Sequence, residues 1–210
     1  MTQITEWLAN ISIWYILGAV AVLLTARLIL GKYKTSAAKS AAEIVESALI
    51  AIVLVFLIIR PFIVQAFFIP SGSMRPTLLE HDHILVNKFV YRFREPIYGE
   101  IVVFKAPPGA SNDGQEKDFI KRLIGKPGDV IEVKDSAVYR NGKRLREPYI
   151  KEPPAYEMAP TKVPRGKLFV MGDNRNDSND SHKWGPLDEK RVIGKAMVRF
   201  WPWNRVGLVH

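Results

Sequence analysis

Three segments of the sequence carry side chains that could form and break covalent bonds. The first, residues 70–78, reads PSGSMRPTL and contains Ser71 and Ser73 among turn-forming prolines and a glycine. A stiff turn could aim one serine hydroxyl at a substrate as a nucleophile. The same composition also suits a polar connector without chemistry, and this segment alone leaves both interpretations open.

A possible base for such a serine is Lys121, in the β-prone segment DFIKRLIGKPGD. In a strand it would share one face with Phe119 and Leu123. Most strand lysines point to solvent, but one held among apolar neighbours loses hydration of its charge, which lowers its pKa. A lysine that is neutral at working pH could take the proton of a serine hydroxyl.

The third segment, residues 171–185, reads MGDNRNDSNDSHKWG and is dense in hydrogen-bonding groups. Its Asp, Asn, Ser and Gly content indicates a loop, which could surround an active site. Because Ser-His-Asp sites are the commoner serine mechanism, His182 is a second candidate base for Ser73. The oxygen-rich run 174–180 lacks the alternating ligands and final Glu of a calcium loop. We therefore predict no metal and no cofactor.

Composition limits the class of partner. The chain of 210 residues carries 30 Lys and Arg against 21 Asp and Glu, a net charge of +9. That excess is compatible with nucleic acid, anionic lipid or a solvated surface. The basic residues form no run of five or six, so we predict no nucleic-acid partner. The absence of cysteine excludes disulfide scaffolds, thiol catalysis and cysteine-bound metal.

Two apolar segments before the serines predict two transmembrane helices. Residues 11–30 contain one charged side chain, Arg27, and could cross a bilayer core of about 30 Å. No Lys or Arg precedes them, unlike the basic start of a cleaved signal peptide. Residues 47–68 are long enough only by continuing through an Arg-Pro pair at 60–61, so they comprise a second helix and a membrane-boundary segment.

Basic residues indicate the orientation of these spans. Residues 31–46 carry three lysines, whereas residues 1–10 carry no Lys or Arg. The positive-inside rule puts the former in the cytoplasm and the latter outside. Residues 69–210 would then form an extracytoplasmic domain, with membrane lipid as a neighbour.

From residue 80 onward, short β-prone runs alternate with turns. Asn141-Gly142, between AVYR and KRL, is the strongest hairpin signal. Residues 107–118 and 146–164 read as long surface loops, and no amphipathic helix is evident. The predicted fold is two N-terminal transmembrane helices followed by a mainly antiparallel β extracytoplasmic domain.

Four ordered motifs resemble those of bacterial type I signal peptidase. They are PSGSMRPTL, GEIVVFKAP, KRLIGKPGD and GDNRNDSNDSHKWG, and the match covers nearly the whole chain. The resemblance implies that the β domain is catalytic and that the protein is a membrane-bound serine endopeptidase. Its expected substrates are the signal peptides of exported preproteins, cut after small residues of the Ala-x-Ala type. Its expected location is the bacterial plasma (inner) membrane, multi-pass, with the active site on the outer face.

The resemblance also implies a Ser-Lys dyad that works without a catalytic histidine, a metal or a cofactor. Ser73 corresponds to the nucleophile and Lys121 to the general base. Ser71 corresponds to the hydroxyl that helps the Ser73 N–H bind the oxyanion, and Ser178 to the serine that orients the lysine. The expected substrate pocket comprises Met74, Ile120, Phe67 and Ile69, and the expected structural supports are Asp173, Arg175 and Asp180.

The sequence departs from the family pattern at a few positions. Asn176-Asp177 stands where many members have Asp-Asn, and His182 stands where arginine is frequent. Glu100 replaces a frequent Asp. These changes concern ion pairs and leave the dyad intact. Two alternatives are a membrane-anchored serine hydrolase with a Ser-His mechanism and a noncatalytic basic membrane adaptor.

Overall fold

The computed structural model describes residues 13–33, 35–59, 64–111 and 117–210. Within these residues the chain forms two compact units, which divide after Val64. The first unit is helical and the second is built mainly of β-strands.

The first unit contains two helices. Helix α1 spans Ile13–Leu30, and helix α2 spans Ser36–Val53 and continues into a π-helical segment, Leu54–Ile59. Thr35 caps α2, because its hydroxyl accepts a hydrogen bond from the Ala38 N–H at 3.3 Å.

The prediction of two transmembrane helices is wrong. Among the described residues, none of the helices combines the length and the apolar character needed to cross a bilayer. Within the described residues helix α1 has 18 residues, which rise about 27 Å, whereas a bilayer core is about 30 Å thick. Residues 47–68 were predicted as a second transmembrane helix and a membrane-boundary segment. Instead α2 ends at Val53, a π-helical segment follows to Ile59, and a strand begins at Val64.

The segment predicted as a cytoplasmic loop, residues 31–46, also differs from expectation. It is helical from Ser36 onward, because the alanine-rich stretch that starts there favours helix and is capped at its first turn. Arg27 on α1 reaches this part of α2 and donates to the Glu46 carboxylate at 2.9 Å. The predicted outer N-terminus, residues 1–10, and the Arg-Pro pair at 60–61 lie outside the described residues.

From residue 69 onward the chain agrees with the predicted antiparallel β fold, and strand β1 adds residues that were predicted as the membrane-boundary segment. The strands are β1 Val64–Phe68, β2 His83–Asn87, β3 Ile101–Lys105, β4 Asp118–Gly125, β5 Val130–Lys134, β6 Ala137–Arg140, β7 Lys143–Arg144, β8 Met158–Lys162, β9 Lys167–Met171, β10 Leu187–Asp188, β11 Val192–Trp201 and β12 Gly207–Leu208.

These strands form two sheets. The larger follows the order β1-β2-β11-β3-β4-β9-β10, with β12 paired to β11. The smaller follows the order β7-β6-β5-β8. The pairings among β2 to β12 are antiparallel. Strand β4 thus lies between β3 and β9, with Lys121 opposite Val102 and Arg122 opposite both Ile101 and Met171.

The predicted hairpin at Asn141-Gly142 is confirmed. Strands β6 and β7 pair Arg140 with Lys143, so Asn141 and Gly142 form a two-residue turn. Both turn residues have positive φ angles, 55° and 76°, as this hairpin geometry requires.

Two short elements were not evident from the sequence. Strand β8 lies inside the predicted surface loop 146–164, where its mostly exposed side chains leave no apolar alternation to detect. Helix α3, Ser181–Trp184, lies inside the predicted loop 171–185. Asp180 starts this helix by accepting a hydrogen bond from the His182 N–H.

Buried apolar clusters hold the strands together. One cluster packs Ile69 and Met74 against β2, β3 and β11. Another joins the two sheets by packing Ile131 of β5 and Val138 of β6 against Phe169 of β9. The first cluster includes Met74, the residue that follows Ser73.

Candidate active site

Strand β1 leads into a short segment that we call the serine turn, residues 71–75. Its centre is a 3-10 turn, Gly72–Met74, in which Ser73 is 8% exposed and Met74 is fully buried. The Met74 carbonyl accepts a hydrogen bond from the Leu78 N–H at 3.0 Å. Because Met74 is anchored in the core, the neighbouring Ser73 hydroxyl has a defined position.

Strand β4 brings Lys121 to this hydroxyl. Its Nζ lies 2.7 Å from Ser73 Oγ and donates to the Ile120 carbonyl at 2.8 Å. Lys121 is 4% exposed. Burial lowers the pKa of Lys121 to about 8, against the opposing influence of the Asp180 and Asp173 carboxylates. The amine can therefore exist in the neutral form that accepts a proton from serine.

Ser71 lies on the solvent side of the pair. It is exposed, and its Oγ lies 3.4 Å from Ser73 Oγ. A hydroxyl in this position can donate to a negative oxygen that forms on a carbonyl attacked by Ser73.

The loop after β9, residues 172–182, closes over the serine turn. Gly172 has no room for a Cβ atom, which would collide with the Ser73 carbonyl oxygen and Ser178 Oγ. The Asn174 N–H donates to the same Ser73 carbonyl at 3.1 Å, and its amide donates to the Gly72 carbonyl at 3.0 Å. This loop thus fixes the backbone of Ser73.

Two buried ion pairs support this loop. Arg122 donates to both oxygens of Asp173, at 2.8 and 2.6 Å. Arg175 donates to both oxygens of Glu147, at 2.7 and 2.8 Å, and its Nε donates to the Gly172 carbonyl at 2.9 Å. Such bidentate pairs fix orientation as well as position.

Asp180 and His182 form a further pair in this loop. Asp180 is fully buried, and its Oδ1 lies 2.7 Å from His182 Nδ1. His182 makes no hydrogen bond to Ser73, whereas Lys121 does. The geometry therefore favours the lysine over the histidine as the base. Ser178 is buried beside Gly172 but makes no hydrogen bond to Lys121, so its predicted orienting role stays a prediction.

The four predicted pocket residues lie in one apolar cluster next to Ser73. Ile69 and Met74 are buried, while Phe67 and Ile120 are partly buried and pack against the same cluster. Their role in binding substrate stays a prediction.

Several residues of the site were not predicted. Arg122, Glu147 and Asn174 make the contacts just described, and Tyr149 lies over the Arg122 guanidinium, 3.9 Å from it to the ring centroid. Arg122 offered one local signal: it follows Lys121 in an apolar strand, so it needed a buried partner on the other face. Glu147 lies in a segment that reads as a surface loop, and no local signal in the sequence indicated its role.

Residues 41–201 match the model of a family described as "Signal peptidase, peptidase S26". The chain belongs to this family. A protein named "Probable signal peptidase I-2" from Synechocystis sp. is 50% identical over 151 residues, which cover 72% of this chain and 69% of the relative. "Probable signal peptidase I-1" from the same organism is 45% identical over 167 residues, 79% of this chain and 85% of the relative. "Signal peptidase I" from Bacillus licheniformis is 40% identical over 185 residues, 82% of this chain and 95% of the relative.

Membership of the signal peptidase family confirms the predicted family and enzyme class. The protein is a serine endopeptidase that cleaves signal peptides. The alternative of a noncatalytic adaptor is thereby excluded. The roles of individual site residues are proposals, which follow.

Proposed function

We propose that this signal peptidase uses Ser73 as its nucleophile and Lys121 as its general base. The observation that carries the proposal is the 2.7 Å distance between Lys121 Nζ and Ser73 Oγ inside a buried site. Neutral Lys121 would take the hydroxyl proton while Ser73 Oγ attacks the carbonyl carbon before the cut. The resulting ammonium would then give that proton to the leaving amine.

The second half of the reaction would reuse the same groups. The cut leaves the signal peptide as an ester on Ser73, and Lys121 would deprotonate the water that hydrolyses it. In both halves the Ser73 N–H and the Ser71 hydroxyl would bind the tetrahedral oxyanion. The 3.4 Å separation of the two serine oxygens supports that role for Ser71.

We further propose that Met74, Ile120, Phe67 and Ile69 select small side chains before the cut. Support comes from the apolar cluster that these four side chains share, in which Met74 and Ile69 are themselves almost fully buried. Asp173, Arg175 and Asp180 would hold the loop that fixes Ser73, without taking part in bond making.

A direct test is cleavage of a purified preprotein followed by sequencing of the mature N-terminus. We expect a single cut after an Ala-x-Ala-type sequence. Ser73→Ala should lose the activity and keep the circular dichroism spectrum of the unmodified protein. Ser111→Ala, a serine at a partly buried surface position, is the matched control and should cleave normally. Cleavage by Ser73→Ala at a near-normal rate would refute the nucleophile assignment.

We also propose that the enzyme works in contact with membrane lipid on the outer face of the bacterial plasma membrane. Support comes from large apolar side chains exposed along α1, among them Trp14, Val22 and Leu28. The full chain should float with phospholipid vesicles, and Val22→Asp combined with Leu28→Asp should reduce flotation. Ser40→Asp, on the exposed polar surface of α2, is the control. Equal flotation of all three proteins would contradict the proposal.

A further inference from the structure

His182 is held against the buried carboxylate of Asp180. Its Nδ1 lies 2.7 Å from Asp180 Oδ1, and its backbone N–H donates to the same oxygen at 3.1 Å. Its ring also stacks on Tyr156, with the ring centroids 4.3 Å apart and the planes inclined by 19°. The His182 side chain is only 13% exposed. The imidazole therefore has a fixed place beside a buried negative charge.

Asp180 in turn acts on both members of the proposed dyad, on Ser73 through Gly172 and on Lys121 through its charge. Its Oδ2 accepts a hydrogen bond from the Gly172 N–H at 2.8 Å, and Gly172 is packed against the Ser73 carbonyl. Its negative charge also stabilises the Lys121 ammonium, and more strongly than that of Asp173. A change in the charge of Asp180 therefore changes the pKa of Lys121.

Three further titratable groups around this pair are Tyr156, Arg175 and Glu147. Tyr156 lies in the segment before β8 and is influenced by the charges of Asp180, Arg175 and Glu147. Arg175 and Glu147 bind each other through two hydrogen bonds. Within the part of the chain that the structure describes, His182 is the side chain whose ring nitrogen lies within hydrogen-bond distance of the Asp180 carboxylate.

We propose that His182 is a positioning residue for signal-peptide cleavage, which balances the buried Asp180 carboxylate and so keeps Lys121 able to act as a base. The inference rests on the Ser-Lys mechanism proposed above. It gives His182 no contact with the substrate or with Ser73. Burial opposes ionisation of Asp180, yet its pKa is lowered, chiefly by the hydrogen bond and charge of His182. Removing that partner would leave Asp180 to act more strongly on Lys121.

The test is the pH dependence of kcat/KM on a signal-peptide substrate. In His182→Ala the uncompensated Asp180 would raise the pKa of Lys121, so the rising limb should move to higher pH by about one unit. Below that limb kcat/KM should fall about tenfold, and at high pH it should approach the normal value.

Two further substitutions of His182 and one control substitution sharpen the test. His182→Arg keeps a donor with a permanent positive charge, so the limb should stay at its normal pH or lie slightly lower. His182→Gln keeps a neutral donor and should give a smaller alkaline shift than His182→Ala, and it replaces that variant if the alanine protein does not fold. Lys183→Ala removes an exposed charge from the neighbouring position and should leave the profile unchanged.

The possible outcomes separate the alternatives. A uniform loss of kcat/KM with an unmoved limb would mean that His182 is only structural, and an acid shift or an unchanged profile would also overturn the inference. Failure of the proposed mechanism looks different, because Lys121→Met would then remain active whatever His182 does. A shift in His182→Ala that His182→Arg reverses would support the inference.

Discussion

The two faces of strand β4 carry buried positive charges in opposite kinds of surroundings. Arg122 is 2% exposed and meets a carboxylate, since it donates twice to Asp173. Its neighbour Lys121 is 4% exposed and meets a hydroxyl and a carbonyl instead. Successive strand residues point to opposite faces, so one strand can serve both environments.

The difference shows how the molecule separates structural charge from reactive charge. Arg175 keeps a raised pKa despite burial because Glu147 binds it through hydrogen bonds and charge. Burial instead lowers the pKa of Lys121 to about 8, since none of the described carboxylates binds it directly. A paired guanidinium holds the loop in place, and an unpaired amine can give up its proton.

The largest effect should come from removing the reactive charge. Lys121→Met should reduce kcat by about 10³-fold or more, because serine and base act as one unit. Lys121→Arg should be equally inactive, since a guanidinium stays protonated and cannot accept the Ser73 proton. In the unmodified enzyme, kcat/KM should rise with pH through the Lys121 pKa of about 8. Single-turnover cleavage of a preprotein measures all three.

The His182→Ala variant provides the control for this prediction. His182→Ala should retain substantial turnover at a pH where Lys121 is neutral. If His182→Ala is inactive at every pH while Lys121→Met cleaves, the base is the histidine and the proposed dyad is wrong.

The reactive charge and the structural charges were not equally predictable from the sequence. Ser73 and Lys121 stand in segments of distinctive local composition, although they lie 48 positions apart, so their types and surroundings suggested nucleophile and base. Glu147 stands in a stretch of prolines and charges that reads as solvated surface. Only the folding of that stretch onto Arg175 buries it, and a single sequence carries no signal for such a contact.

The helical unit shows a different limit. The apolar content of residues 47–68 suggested a second transmembrane helix and a membrane-boundary segment, but hydropathy does not reveal where backbone hydrogen bonding changes. The chain leaves regular helix after Val53 and starts pairing as a strand at Val64. The capping residue Thr35 and the alanines after it are typical of a helix start. The three lysines of residues 31–46 instead led to the prediction of a loop.

A smaller effect should follow from breaking a structural pair. Glu147→Gln leaves the buried Arg175 guanidinium without its carboxylate, which should lower the free energy of unfolding by about 3–5 kcal/mol. Glu152→Gln is the matched control, because Glu152 lies 3.8 Å from Lys151 with both side chains about half exposed. That surface pair should contribute about 1 kcal/mol or less. Denaturant unfolding measures both values, and equal losses would mean that the Arg175 pair is not the structural charge we describe.

The smallest effect concerns how burial of Lys121 changes the free energy of unfolding with pH. The pKa of Lys121 is about 8 in the folded protein and 10.5 as its ordinary value. Below pH 8 the lysine is charged in both states, so the folded state bears the full cost of burying that charge. Between these two pKa values the unfolded chain binds more protons, and stability must therefore rise with pH. The gain over this range should be about 3 kcal/mol.

Lys121→Met isolates that gain, because methionine has a similar length and does not titrate. The free energy of unfolding of the normal protein minus that of Lys121→Met should increase from pH 7.5 to pH 10.5 and then level off, while other titrating groups cancel in the difference. Ser73→Ala, which keeps the lysine, should follow the normal protein over the same range. Parallel curves for the normal protein and Lys121→Met would show that Lys121 keeps an ordinary pKa in the folded state, and the contrast between the two faces of β4 would then be one of geometry alone.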